Sequence, residues 1–252
     1  MNKKKWIVFI LICLFLIASI ILINFIQDRN TALSQKSTSN EDQKEIENIK
    51  NYIDENEEDT SAHLELGVRY FLEEQYEDAI IEYQKVIERE PENSLAWHRL
   101  TLVNIFQNDF KEAYENRKKT IELDPKAAFY ISIASLEVIL DKPTLALENA
   151  KKALELAKKA KEENIEHYQE WVDQIEQFNA EYTKGNISES YLGMIKSNLY
   201  FDKPIFVEMI EMGLAAEDIT KEQKQELIEL KEKVKSHDNI VIKYEDLSSV
   251  EQ

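Results

Sequence analysis

Two stretches of this sequence decide its fold: TSAHLELGVRYFLEEQYEDAIIEYQKVIEREP at residues 60–91 and SLAWHRLTLVNIFQNDFKEAYENRKKTIELDP at residues 94–125. When they are aligned without gaps, they share an aromatic, a small and a closing position. The matching pairs are Tyr76 and Phe110, Ala79 and Ala113, and Pro91 and Pro125. A self-match at a constant interval of this size is typical of helical hairpins that stack into a solenoid. The alanines allow two helices to approach closely, and each proline ends the second helix.

These units resemble the tetratricopeptide repeat (TPR) family, whose unit is about 34 residues long. Gly67 stands at the family's small position in the first helix, whereas the second unit has Thr101 there. A third, degenerate unit follows, and Pro143 begins its second helix. The resemblance implies an all-α, right-handed solenoid of stacked hairpins. Its units are residues 60–93, 94–126 and 127–160.

An uncharged apolar run occupies residues 6–26, directly after three lysines at residues 3–5. As a helix it would be about 31 Å long, which matches the ~30 Å hydrocarbon core of a bilayer. A cleaved signal peptide would have a shorter apolar stretch with small residues just beyond it. The positive-inside rule places residues 1–5 in the cytoplasm and the bulk of the chain outside. We therefore expect a single-pass signal anchor in the plasma membrane.

Composition divides the remainder of the chain. Residues 27–43 are polar without an apolar period, which predicts a stalk, and a short helix is expected at residues 44–58. After the repeats, residues 161–236 predict a helical extension that contains a candidate decayed repeat. The tail at residues 237–252 contains one β-prone run, residues 240–244, which the sequence does not assign to any predicted element.

The charge of the chain is strongly negative, −18 in total. Without the three N-terminal lysines, the chain that follows the apolar run carries 28 basic and 49 acidic side chains, a net charge of −21. Such a surface repels nucleic acid and anionic lipid, and it favours partners with basic residues. The single cysteine, Cys13, lies in the apolar run, so a disulfide framework and a thiolate metal site are excluded.

The sequence contains no recognisable catalytic motif. Its four histidines are scattered without metal-ligand spacing, and it has neither a glycine-rich phosphate loop nor a nucleophile elbow. Acidic pairs are numerous, but with so many carboxylates they arise by chance on a solvated surface. We expect no cofactor and no enzyme activity; an enzyme with a dispersed site is a minor alternative.

The resemblance also indicates where a partner would bind. The family's usual binding surface is the concave groove lined by the first helix of each unit. Transferring those positions gives mostly apolar residues, so the carboxylate clamp that family members use for chaperone tails is absent. The alternative is that these residues are core, covered by the N-terminal helix or the C-terminal segment. The candidate groove residues are Leu64, Val68, Phe71, Leu95, His98, Leu102, Ile105 and Ile131.

The function expected from these features is a membrane-tethered scaffold or adaptor on the extracytoplasmic face. It would bind an apolar protein segment with basic flanks. A holdase-like chaperone for secreted or envelope proteins is the main alternative, and it would bind many unfolded clients weakly. A structural role in which the repeats dimerise is a further alternative.

Overall fold

The structure is a computed structural model that describes residues 42–196 and 203–236. The described residues form eleven helices and no strand. The helices are α1 (42–55), α2 (Thr60–Leu72), α3 (Tyr76–Arg89), α4 (Ser94–Phe106), α5 (Phe110–Leu123), α6 (Ala127–Ile139), α7 (Pro143–Ala160), α8 (Ile165–Thr183), α9 (Ile187–Lys196), α10 (Lys203–Ala215) and α11 (Lys221–Ser236).

Three consecutive hairpins form the repeat region: α2 packs on α3, α4 on α5 and α6 on α7. The second helix of each of the first two hairpins contacts the first helix of the next, so the units stack in order. The prediction of an all-α solenoid of paired helices is confirmed. The helices α3 and α5 end one residue before the residue that precedes Pro91 and Pro125, as expected for a residue that cannot continue a helix.

The turn inside each hairpin repeats the same backbone geometry. Glu74, Asn108 and Asp141 have φ of 58°, 59° and 59°, in the left-handed region. The following residue then donates its N–H to a carbonyl in the last turn of the preceding helix, over 2.8 Å in each unit. The accepting carbonyls belong to residues 70, 104 and 137, so the second interval is one residue shorter than the first. The third unit is therefore a hairpin of the same construction, shifted by that single residue.

Packing within the first two hairpins explains why the two repeats share an alanine and why the glycine of the first repeat is absent from the second. Ala79 and Ala113 are fully buried where their helices meet. A Cβ on Gly67 would lie 2.5 Å from Cε1 of Tyr83, so the ring of Tyr83 requires glycine there. In the second unit Thr101 replaces the glycine, and Arg117 replaces the tyrosine in the same alignment. The two positions thus change together.

The helices after the repeats fold back onto them. Helix α8 packs on α7, and α9 packs on α8. Helix α10 contacts α9 and α11, but it also contacts α6 and α4, the first helices of the third and second units. Its residues Ile205, Met209 and Ile210 are at most 1% exposed and belong to one continuous core that runs from Ile105 to Leu227.

One sequence prediction differs from the structure in its bounds, and others concern residues that the structure does not describe. Residues 42 and 43, assigned to the polar stalk, are already helical in α1. The predicted anchor at residues 6–26, the rest of the stalk and the tail at residues 237–252 lie outside the described residues. Within residues 42–196 and 203–236, no helix has both the length and the apolar character that crossing a membrane requires.

Candidate binding groove

The inner face of the solenoid is the side to which α2, α4 and α6 contribute. On α2 it carries four apolar side chains: the second follows the first by four residues, and the last two follow the second by three and four, so all four lie on one side of the helix. We call them the first-unit stripe: Leu64, Val68, Phe71 and Leu72. The first three are half-buried, and Leu72 is 50% exposed. The stripe borders a small core cluster that includes Leu66 and Tyr70.

The aligned positions in the second unit are closed to solvent. His98, Leu102 and Ile105 correspond to Leu64, Val68 and Phe71 in the alignment that matches Tyr76 with Phe110. Their exposed fractions are 7%, 6% and 0%. Ile105 shares one core with residues of α10, whereas His98 packs against Arg117 of α5 and Phe129 of α6.

The aligned positions in the third unit are buried except the first. Its positions follow from α4 with the shorter interval that the turn geometry requires, which gives Ile131, Ser135 and Val138. Ser135 and Val138 are buried, whereas Ile131 is half-buried. The hydroxyl of Tyr191 in α9 donates to the carbonyl of Val138 over 3.3 Å, which ties the C-terminal helices to α6.

Five of the eight candidate groove residues are half-buried, and the other three are buried. Leu64, Val68 and Phe71 lie together on α2, where the ring of Phe71 packs against Phe106 of α4 at 5.3 Å between centroids. Leu95 and Ile131 are half-buried on α4 and α6. The other three candidates are buried in the second unit. Sequence reasoning did not include Leu72, although it follows Val68 by one helical turn and therefore shares its side of the helix.

His98 shows what the covered part of the inner face is like. The Nη1 of Arg117 donates to its Nδ1 over 2.8 Å, and the ring of Phe129 lies 5.0 Å away between centroids. Burial first, and then the charges of Arg117, Arg99 and Lys126, hold the pKa of His98 well below its usual value. A neutral ring with its acceptor nitrogen turned to Arg117 satisfies this geometry, so His98 is a structural residue.

A second histidine is held differently in the first unit. Nδ1 of His63 lies 2.6 Å from Oε2 of Glu82, and its Nε2 lies 3.1 Å from the carbonyl oxygen of Glu57. Lys85 donates to the other oxygen of Glu82 over 2.8 Å. These bonds tie the α1–α2 loop to α3. They border a cavity of about 610 Å³ lined by Ile53, Asp54, Glu57, His63, Lys85, Glu88 and Arg89.

That cavity has no clear chemical preference. Its lining mixes acidic and basic side chains, so it favours neither an anion nor a cation. Among the described residues, no group of three or more His, Cys, Asp or Glu side chains stands where it could hold a metal ion. Glu137 is a further buried charge; burial raises its pKa, and the amide of Asn149 donates to both its oxygens over 2.9 and 2.8 Å.

The edge of the first-unit stripe is mainly acidic. The side chain of Glu65 is 56% exposed beside it, and Glu74 is exposed at the turn where α2 ends. The nearby cation, Arg69, donates to Glu45 of α1 over 2.9 Å and lies 3.9 Å from Glu65. Since Arg69 is already paired with acids, the field at this edge favours a partner that brings basic side chains.

Comparison with known proteins gives matches in structure only. No protein-family model matches this chain, and no curated protein sequence matches it. A TPR protein from Parabacteroides merdae is 13% identical, with a TM-score of 0.50 over 79% of this chain and 88% of the other. At this identity the likeness shows the fold, a solenoid of TPR hairpins.

Two other solved structures have lower TM-scores. YrrB, described as a TPR protein with an unusual peptide-binding site, is 18% identical, and the match covers 72% of this chain and 97% of YrrB with a TM-score of 0.46. The TPR2B domain of yeast Sti1, in a complex with pHsp70, is 22% identical over 47% of this chain and 96% of the domain, with a TM-score of 0.42.

Proposed function

We propose that this chain is a membrane-tethered protein-interaction scaffold that binds a protein segment on the first-unit stripe. One observation carries the proposal: of three aligned rows on the inner face, the row on α2 is half-buried or exposed throughout, whereas the rows on α4 and α6 are mostly buried. Four apolar side chains in a row, one of them half exposed, form a surface that gains from being covered.

The chemistry of the stripe defines the ligand. Its apolar side chains favour a segment with apolar residues on one side, and its acidic edge favours basic residues beside them. A site built on one helix is small, well below the ~1,200–2,000 Å² that stable complexes bury, so we expect a weak or transient complex. Partners held in the same membrane would meet the stripe repeatedly and compensate for that weakness.

Tethering and orientation rest on the sequence. The apolar run at residues 6–26 and the lysines before it support a signal anchor with the bulk of the chain on the extracytoplasmic face. Residues 27–41 can span at most about 50 Å when extended. The first unit follows α1 and is therefore the repeat nearest to the proposed anchor along the chain.

Photo-crosslinking in intact cells tests the binding surface. A photoreactive amino acid replaces Val68 in the full-length chain, and the matched control carries it at Ile81, which is 48% exposed on α3. A scaffold gives one or a few discrete adducts at position 68 and none at position 81. A broad distribution of adducts at position 68 would instead identify a holdase. Equal adducts at both positions would contradict the proposed surface.

Cysteine labelling tests the topology separately. In a Cys13→Ser background, Ile81→Cys places one exposed thiol on α3. A membrane-impermeant maleimide should label this thiol in intact spheroplasts. Labelling that requires permeabilised cells would show that the repeats are cytoplasmic, and the proposed location would then be wrong.

A further inference from the structure

A buried histidine joins the second unit to the third. His98 of α4 is 7% exposed, and its Nδ1 lies 2.8 Å from Nη1 of Arg117 on α5. Because a guanidinium can only donate, Nδ1 accepts this hydrogen bond and carries no proton. The ring of Phe129 on α6 packs 5.0 Å from the imidazole and 5.0 Å from the guanidinium carbon of Arg117. One neutral imidazole therefore connects both helices of the second unit with the first helix of the third.

The charges that act on this imidazole are positive. Burial lowers the pKa of His98 most, and the charges of three cations lower it further. These cations are Arg117 on α5, Arg99 on α4 and Lys126 at the start of α6, and Lys126 is itself paired with Asp124 over 2.8 Å. Among the described residues, no side chain of α2, α3 or α10, which also contact α4, adds a charge that shifts this pKa. The surroundings therefore favour the neutral ring.

Protonation would disrupt this junction in two ways. A proton on Nδ1 turns the acceptor into a second donor that faces the guanidinium of Arg117, so their hydrogen bond is lost. The new charge is also buried beside Arg117 and Arg99, where like charges repel and water is excluded. Both penalties disappear when the ring reaches solvent, where the ordinary pKa of histidine is about 6.5. Acid therefore favours a state in which His98 has left its contacts with α5 and α6.

We propose that protonation of His98 is a switch that opens the junction of the second and third units and exposes the inner-face row of α4. His98 and Leu102 are one helical turn apart on the same side of α4, so an opening that brings the ring to water also exposes Leu102. Units of a solenoid contact mainly their neighbours, so the first unit can stay folded. In acid the first-unit stripe would continue onto α4; this last step rests on the proposed function, whereas the opening does not.

Thiol reactivity tests the opening in the full-length protein in micelles. In the Cys13→Ser background, Leu102→Cys reports on the row, Val68→Cys is the accessible reference, and Val172→Cys, 5% exposed on α8, is the buried control. Rates with a small maleimide at pH 7.5 and 5.5 are divided by the rate at position 68 at the same pH. Since the open state takes up a proton at about pH 6.5 and the closed state does not, the normalised rate at position 102 should rise about tenfold. The rate at position 172 should stay the same.

A variant that cannot titrate identifies the group responsible. His98→Asn keeps an acceptor for Arg117, so the rise at position 102 should disappear in its background. A constant normalised rate at position 102 with histidine present, an equal rise at position 172, or the same rise in His98→Asn would overturn the switch.

An NMR titration tests the switch without any cysteine substitution. The full-length protein is labelled at the rings of its four histidines, and the signal of His98 is assigned by its loss in His98→Asn. The ring should stay neutral well below pH 6.5 while the helices remain folded. Titration of this signal at about pH 6.5, as for a histidine in water, would overturn the switch.

Photo-crosslinking in intact cells separates the switch from its use in binding. A photoreactive residue at position 102 should give the adducts found at position 68, but only when the medium is acidified. A rise in thiol reactivity without adducts at either position would refute the proposed scaffold and keep the switch. Adducts at position 68 without that rise would keep the scaffold and overturn the switch.

Discussion

The inner face of the first unit and the inner faces of the second and third units use aligned positions in different ways. In the first unit, Val68 and Phe71 are half-buried at the protein surface. In the second, the aligned Leu102 and Ile105 are buried, and Ile105 belongs to the core that also contains residues of α10. The difference teaches that a repeat position does not define a role. The element that packs over the position decides between stability and binding.

The comparison also explains why a partner can bind the stripe without disrupting the fold. The large core, from Ile105 to Leu227, is complete without the stripe. The smaller cluster around Leu66 and Tyr70 holds the first unit, and Ile46 of α1 belongs to it. Substitutions in the two regions should therefore differ in kind. Those in the second unit affect unfolding, and those on the stripe affect binding.

The largest expected difference is in stability. Ile105→Ala leaves a cavity in a fully buried site and should lower the free energy of unfolding by about 2–5 kcal/mol. Val68→Ala, at a half-buried site, should lower it by less than about 1 kcal/mol. Urea denaturation of the full-length protein in micelles, followed by far-UV circular dichroism, measures both. Equal losses would remove the distinction between the two regions.

The next effect concerns the paired positions within each hairpin. Gly67→Ala forces a Cβ against the ring of Tyr83 and should cost about 1–3 kcal/mol. Gly193→Ala is the matched control, since no atom lies within 4 Å of its added Cβ, and it should stabilise α9 by about 0.5–1 kcal/mol. The same denaturation experiment applies. A harmless Gly67→Ala would show that the close helix contact in the first unit is not required.

Acidification should destabilise the covered region. Because the pKa of His98 is lowered in the folded state, the unfolded chain binds the proton more tightly, so stability is full above about pH 6.5 and falls as the pH drops below it. The slope for this residue is at most about 1.4 kcal/mol per pH unit.

A matched variant isolates that contribution. His98→Asn keeps an acceptor for Arg117 but cannot titrate, so its free energy of unfolding should fall less than that of the unsubstituted protein between about pH 6.5 and 5.5. Parallel pH profiles for the two proteins would mean that His98 is protonated without cost. The inner face of the second unit would then be accessible to water.

The smallest effect lies in the turns. Glu74 and Asn108 both adopt left-handed backbone, which asparagine tolerates better than glutamate. Glu74→Gly should stabilise the protein by at most about 1 kcal/mol, and Asn108→Gly should gain less. Thermal unfolding of the two variants side by side measures this. A larger gain in stability from Asn108→Gly than from Glu74→Gly would contradict the explanation that backbone strain in these turns depends on the residue type.

The hairpins could be predicted from the sequence because their determinants are local. Alanines, prolines and turn residues recur at a fixed offset, so a single alignment places the paired helices. The one-residue shortening of the third unit was harder to detect, because its turn residue Asp141 differs from Asn108 and no proline closes it.

Burial of the inner face under another segment was an alternative that the sequence left open, but its extent could not be predicted in the same way. It depends on α10, which lies far beyond α4 in the chain, and no periodic pattern connects the two. The two histidine pairs could in principle have been predicted from the sequence. His63 and Glu82 have the same sequence separation as His98 and Arg117, which is the separation of facing positions in one hairpin.

The most direct test of the account compares thiol reactivity at one repeat position in two units. In the Cys13→Ser background, Val68→Cys and Leu102→Cys are each treated with a small maleimide under native conditions. We expect the thiol at position 68 to react at least about tenfold faster, because position 102 is buried and becomes accessible only when the domain opens locally or as a whole. Equal rates, or faster reaction at position 102, would contradict the claim that the inner face is closed in the second unit and accessible in the first.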